Sequence, residues 1–133
     1  MATLTRRQMS LALIRARAVA SNLSLPIAVL DAHGSIVFYN GSAEAILGDT
    51  FEDVGELSSE AWAAAFEPEH RDGTPIPMRE MPAGVALTER RPHHVDLFYT
   101  GIDGARREVG VTAFPLVGRD GELFGAFAIF WHV

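Results

Sequence analysis

The stretch His93-His-Val-Asp-Leu-Phe-Tyr-Thr100, Arg106-Arg-Glu-Val-Gly-Val-Thr-Ala-Phe-Pro-Leu-Val117 and Leu123-Phe-Gly-Ala-Phe-Ala-Ile-Phe-Trp-His-Val133 decides the fold. Its β-branched and aromatic runs are broken by Gly101-Ile-Asp-Gly104 and Gly118-Arg-Asp-Gly-Glu122. Glycine takes the positive φ that a tight turn needs, so this spacing predicts three antiparallel strands joined by hairpins. A matching pair precedes it. Pro26-Ile-Ala-Val-Leu-Asp31 enters a turn at Ala32-His-Gly34 and leaves as Ser35-Ile-Val-Phe-Tyr39. Two strands, a helical middle and three strands predict an α+β fold: a five-stranded antiparallel sheet with short helices on one face.

Working outward, residues Thr5 to Asn22 read as an extra N-terminal helix, with Thr5 and Gln8 at capping-box spacing. At 100° per residue, Leu4, Leu11, Ile14 and Ala18 fall on one side, and Met9, Leu13, Ala16 and Ala20 on nearly the other. A helix with two apolar sides wants two neighbours, its own sheet and a second copy of the chain. Pro26 ends it by disfavouring helical geometry at Leu25. In the middle, Asn40 or Ser42 caps a short helix, Ala43 to Leu47, ended by Gly48. Asp49 to Leu57 is turn-rich, Ser59 to Phe66 is a second helix, and Glu67 to Pro77 is a polar loop. Met78 to Arg90 is the longest internal helix, with Pro82 in its first turn.

Composition narrows the function classes. A chain of 133 residues holds one domain and one core. The formal charge of −6 argues against a nucleic-acid reader. Arg6, Arg7, Arg15 and Arg17 read as a solvated helix face. No apolar run approaches the ~20 residues of a membrane span, and no signal peptide is evident, so a cytoplasmic location is expected. The chain has no cysteine, which excludes disulfides, thiolate zinc sites and thiol nucleophiles.

From Leu25 to Phe130 the chain resembles a PAS domain. The resemblance is carried by Pro26-Ile-Ala-Val-Leu-Asp31 with Gly34, and by Ile36-Val-Phe-Tyr-Asn40 with Ala43, Glu44, Leu47 and Gly48. Asp72-Gly-Thr-Pro-Ile-Pro77, Pro82 with Ala86, Leu87 and Pro92, Pro115-Leu116, Asp120-Gly121 and Gly125-Ala-Phe-Ala-Ile-Phe130 extend it. It implies an N-terminal helix over residues 1–24 that mediates dimerisation or caps the sheet, and a PAS domain over 25–133. It also implies a non-enzymatic sensory or dimerisation module in signal transduction, working through a small apolar ligand or protein–protein contact. Where many relatives end the last strand with an Asp-Ile-Thr-like tripeptide, this chain has Trp131-His132-Val133. Both a stand-alone module and the sensory part of a longer signalling protein fit that, and the downstream partner is unknown.

Both faces of the last strand are apolar: Leu123, Gly125, Phe127, Ile129 and Trp131 on one, Phe124, Ala126, Ala128, Phe130 and His132 on the other. The resemblance places Phe127 and Ile129 inward, where they join Ile27, Val29, Trp62, Leu87 and Val111 in the lining of a packed core or a small-ligand pocket. Leu11, Leu13, Ile14, Ala18, Phe124 and Phe130 are then the expected homodimer interface.

Cofactors are not expected. The flavin photosensors of the family need a helix cysteine, and Phe127 stands where flavin-binding relatives often carry an amide. Haem-binding relatives supply a histidine from the long helix, and Met78 to Arg90 has none. His33, His70, His93 and His94 read as exposed or capping residues, and no metal site is expected. A haem- or flavin-bound redox sensor is one alternative. A small acid/base enzyme using Asp96, Glu108 or Glu44 is another, although no partner stands at a spacing that completes a catalytic pair.

Overall fold

The structure, a computed structural model, describes residues 10–132. Helix α1 spans Leu11–Ser21. Ser10 is extended and its side chain accepts from the Leu13 N–H, capping the start of this helix. The Thr5 and Gln8 capping box, together with Leu4 and Met9, lies outside the described residues. The chain continues through β1 (Ile27–Asp31), β2 (Ile36–Tyr39), α2 (Gly41–Leu47), α3 (Phe51–Val54) and α4 (Ser59–Phe66). A 3-10 turn at Met78–Glu80 leads to α5 (Pro82–Glu89), β3 (His93–Thr100), β4 (Arg106–Val117) and β5 (Leu123–His132).

The helix expected over Met78 to Arg90 is thus broken. Met81 is extended, at φ −68 and ψ 149, because the Pro82 ring disfavours helical geometry in the residue before it. Helix α3 interrupts the turn-rich stretch, capped by Thr50, whose hydroxyl accepts from the Asp53 N–H at 3.1 Å.

The sheet is antiparallel throughout, in the order β2-β1-β5-β4-β3. The first and last strands in sequence become neighbours, and β5 is the central strand, flanked by β1 and β4. Each edge strand carries one further bridge. Ile36 of β2 exchanges backbone hydrogen bonds with Leu57, and Phe98 of β3 exchanges them with Glu69.

Apolar side chains collect on both faces. On the inner face Ala28, Leu30, Val111, Ala126 and Ala128 pack against Ile46, Trp62, Phe66 and Ala86 of the helices. On the outer face Ile27, Val29 and Val37 pack against Leu13, Ala16 and Ala20 of α1.

Candidate functional site

Beneath the inner face lies an apolar cavity of about 60 Å³. Ala28 and Leu30 of β1, Leu97 and Tyr99 of β3, Val109 and Val111 of β4, and Ala128 and Phe130 of β5 form its roof. Ile46 and Leu47 of α2, Trp62 and Phe66 of α4, and Met81 to Ala83 at the start of α5 close it from below. Its two polar side chains are already engaged. The Trp62 indole N–H donates to the Gly34 carbonyl at 2.9 Å, and the Tyr99 hydroxyl donates to the Ile46 carbonyl. No buried side-chain nitrogen or oxygen lacks a partner among the described residues.

Burial pushes the Tyr99 hydroxyl up to about 12, with Arg107 opposing and Asp103 adding to the effect. Burial, then Asp49, does the same to Tyr39, also to about 12. These are the chain's only two tyrosines. Because the folded state holds both protons more tightly than the unfolded chain, their contribution to stability is complete below about pH 10 and is lost as the pH climbs toward 12. The folded protein is therefore expected to show no tyrosinate absorbance step near pH 10.0, the ordinary value, whereas the urea-unfolded chain shows two equivalents there. A folded-state step at that pH would contradict the burial argument.

Helix α1 covers the other side of the sheet. Leu13, Ala16 and Ala20 face inward and are buried, while Leu11 and Ile14 are 60 % and 50 % exposed. Arg17 lays its guanidinium over the rings of Phe38 and Phe51, 4.9 and 5.7 Å from their centroids, fastening α1 to β2 and α3.

One buried amide connects these parts. Asn40, 2 % exposed, lies between β2 and α2. Its Nδ2 donates to the carbonyls of Ala20, Leu23 and Leu25 at 2.9, 3.2 and 2.7 Å. Its Oδ1 accepts from the N–H groups of Ile27 and Ala43, each at 3.1 Å. The end of α1, the following linker, the start of β1 and the N-terminus of α2 all meet on this side chain. Of these, β1 and α2 also wall the cavity.

A family model for the PAS fold matches residues 20–133. The chain belongs to the PAS fold family. Solved PAS structures share the fold at low identity. The PAS domain of BvgS from Bordetella pertussis is 19 % identical, with 91 % of this chain and 84 % of that one aligned at a TM-score of 0.58. The PAS domain of the fruit-fly ELK potassium channel is 9 % identical, covering 91 % and 96 %, at a TM-score of 0.69. A light-state dimer of the fungal blue-light photoreceptor Vivid is 13 % identical, covering 84 % and 79 %, at 0.61. No curated protein sequence matches the chain. PAS domains as a class are sensory and signalling modules, and among the described residues no helix is long and apolar enough to cross a membrane.

Within this PAS fold, the expected pocket residues divide. Trp62 and Val111 line the cavity, and Leu87 packs against the inner core without reaching it. Ile27, Val29, Phe127 and Ile129 lie on the opposite face, under α1, which corrects the inward placement. They move as a set because Ile27 pairs with Ile129 and Val29 with Phe127 across β1 and β5. The physical reason is size. Alanines at 126 and 128 leave room for α5 to approach the sheet, while the bulkier side chains fill the space beneath α1.

Of the expected interface residues, Leu11, Ile14 and Ala18 are exposed. Leu13 is corrected, being 5 % exposed against the sheet. Phe130 is corrected too, since it lines the cavity, and Phe124 shares its strand parity and lies against Gly118 at the hairpin.

Each of the three carboxylates has a partner. Glu108 pairs with Arg71 at 2.8 Å, and Glu44 accepts from the Phe51 N–H at 3.1 Å. Asp96 has a partner the sequence reading missed: His94 Nε2 lies 2.7 Å from its Oδ1, and His94 Nδ1 lies 2.8 Å from Thr112 Oγ1. The signal was their spacing of two along a strand, which puts both side chains on one face. The imidazole also stacks on Trp131, centroids 5.1 Å apart and planes 8° apart. This group is exposed on the sheet's outer face, away from the cavity. No cluster of three metal-ligating side chains occurs among the described residues.

Proposed function

We propose that the chain is a cytoplasmic sensory PAS module, without catalysis of its own, that signals by self-association through α1. The observation that carries this reading is the helix's two opposed apolar stripes. Leu13, Ala16 and Ala20 are used on the sheet, while Leu11, Ile14 and Ala18 repeat at three and four residues on the opposite side and face solvent. The same stripe of a second copy is the surface of matching shape.

Magnitudes set the strength of the pair. Burying a half-exposed Leu or Ile gains about 1–2 kcal/mol, so four such side chains roughly balance an association cost of about 4–15 kcal/mol. A transient, concentration-dependent dimer follows, one that a small change in α1 packing shifts. Asn40 supports such coupling, because an altered fit of β1 or α2 around the cavity acts on the same amide that holds the end of α1.

A haem or flavin sensor is disfavoured by the cavity, which is far smaller than either group and has no histidine in its lining. An acid/base enzyme is disfavoured because Asp96, His94 and Glu108 lie on the sheet's outer face and none of them lines the cavity.

Sedimentation velocity over a concentration series tests the association. The wild-type chain is expected to show a growing dimer fraction, and Ile14→Asp to remain monomeric with an unchanged unfolding midpoint. An Ile14→Asp protein that associates as the wild type does would rule out this surface.

A further inference from the structure

We infer that the cavity is a metal-free site for a very small apolar molecule, a dissolved diatomic gas or a hydrocarbon of two or three carbons. The inference deepens the sensor reading by naming the class of signal, and it stands or falls separately from association through α1.

Three observations converge. The first is size. A cavity of about 60 Å³ is well under half of the roughly 150 Å³ that holds benzene in an engineered apolar site, which leaves space for about three heavy atoms. Fatty acids and aromatic metabolites are too large.

The second is chemistry. Trp62 and Tyr99 supply the polar side-chain groups of the lining, and both donate to backbone carbonyls. A guest finds no free hydrogen bond. Water needs two to four polar partners to occupy a buried site, so the space suits a guest with none. What the bare walls lack is dispersion contact, which a compact apolar molecule restores.

The third is position. The walls include Leu30 of β1 and Ile46 of α2, and both elements are hydrogen-bonded to Asn40. Occupancy therefore bears on the two elements whose common tether also holds α1.

Xenon is the probe, because it is apolar, monatomic and small enough for the space. Methyl NMR of the full chain under increasing xenon pressure is expected to show saturable shifts at Ile46, Leu97 and Val111. Hexanoate and benzene are expected to leave these methyls unmoved. Ala83→Val, which narrows the cavity from its α5 side, should reduce the xenon response to the linear drift of exposed methyls, and Ala128→Val serves the same purpose from β5. Leu97→Ala enlarges the site and should make benzene bind.

No saturable xenon shift in the wild-type chain would overturn the inference. So would saturation of the same methyls by hexanoate or benzene, or an undiminished xenon response in a folded, narrowed variant. The wild-type arms decide the question even if a substituted chain fails to fold. Sedimentation of the same samples reports association independently, so a failed cavity and a failed helix interface give different results.

Discussion

Asn40→Ala is expected to destabilise the chain by roughly 3–5 kcal/mol in urea unfolding, a large share of the about 5–15 kcal/mol available to a domain of this size. From a nearly sealed position the side chain reaches five backbone partners, its two amide hydrogens shared among three carbonyls. Removing it leaves the Ile27 N–H without this acceptor and reduces the Ala43 N–H to the Asn40 backbone carbonyl at 3.0 Å, and a buried, unsatisfied group carries a penalty of about 1–3 kcal/mol. The carbonyls of Leu23 and Leu25 lose the amide as donor at the same time, while that of Ala20 keeps the Leu23 N–H at 3.2 Å.

Asn40→Asp separates the two halves of the role. A carboxylate still accepts from Ile27 and Ala43 and remains a good cap for α2. Facing the carbonyls of Ala20, Leu23 and Leu25, however, it offers oxygen to oxygen. Hydrogen exchange should therefore show protection lost first in α1 while β3, β4 and β5 stay protected. A loss below about 1 kcal/mol for Asn40→Ala would remove Asn40 from the centre of the coupling.

Gly125→Ala is the second large effect. A Cβ at this position would lie 2.0 Å from the Leu30 carbonyl oxygen and 3.1 Å from Leu13 Cδ2. Backbone stands in the way on one side and the docked helix on the other, so β1 and β5 must part for the methyl to fit. The expected loss is about 4 kcal/mol or more, beyond the usual range of overpacking.

Gly110→Ala provides the comparison. Its Cβ would meet the Trp131 indole at 2.6 Å, but that side chain is 43 % exposed and can turn aside. A cost of about 1 kcal/mol is expected there. Equal unfolding midpoints for the two variants would contradict the close approach of β5 to β1.

These two positions also mark how far the sequence could be read. The strands and hairpins were legible because Gly104 and Gly121, both at φ +84, sit where the Asp-Gly turns need them. The two-sided character of α1 was legible from helical spacing alone. The facing of β5 was not. With alanines and two phenylalanines on one side and leucine, phenylalanine, isoleucine and tryptophan on the other, hydrophobicity carries no direction. Only the closeness of α5 on one face and α1 on the other decides which side takes the small residues.

Asn40 was legible as a possible cap for α2, a local role written in the adjacent residues. Its hold on Ala20, Leu23 and Leu25 depends on chain segments brought together from 15 to 20 positions away. The cavity's volume likewise has no signature in sequence, because it is what remains after seventeen side chains from several elements have packed.

The absence of cysteine makes the central claim directly testable. A single Ile14→Cys substitution places one thiol on the outer stripe of α1, and Ala61→Cys places one on the exposed side of α4. Under mild oxidation at equal concentration, Ile14→Cys is expected to form a covalent dimer at least about tenfold faster than Ala61→Cys, since two copies of α1 bring the stripes within disulfide reach. Equal rates at the two positions would contradict pairing through α1.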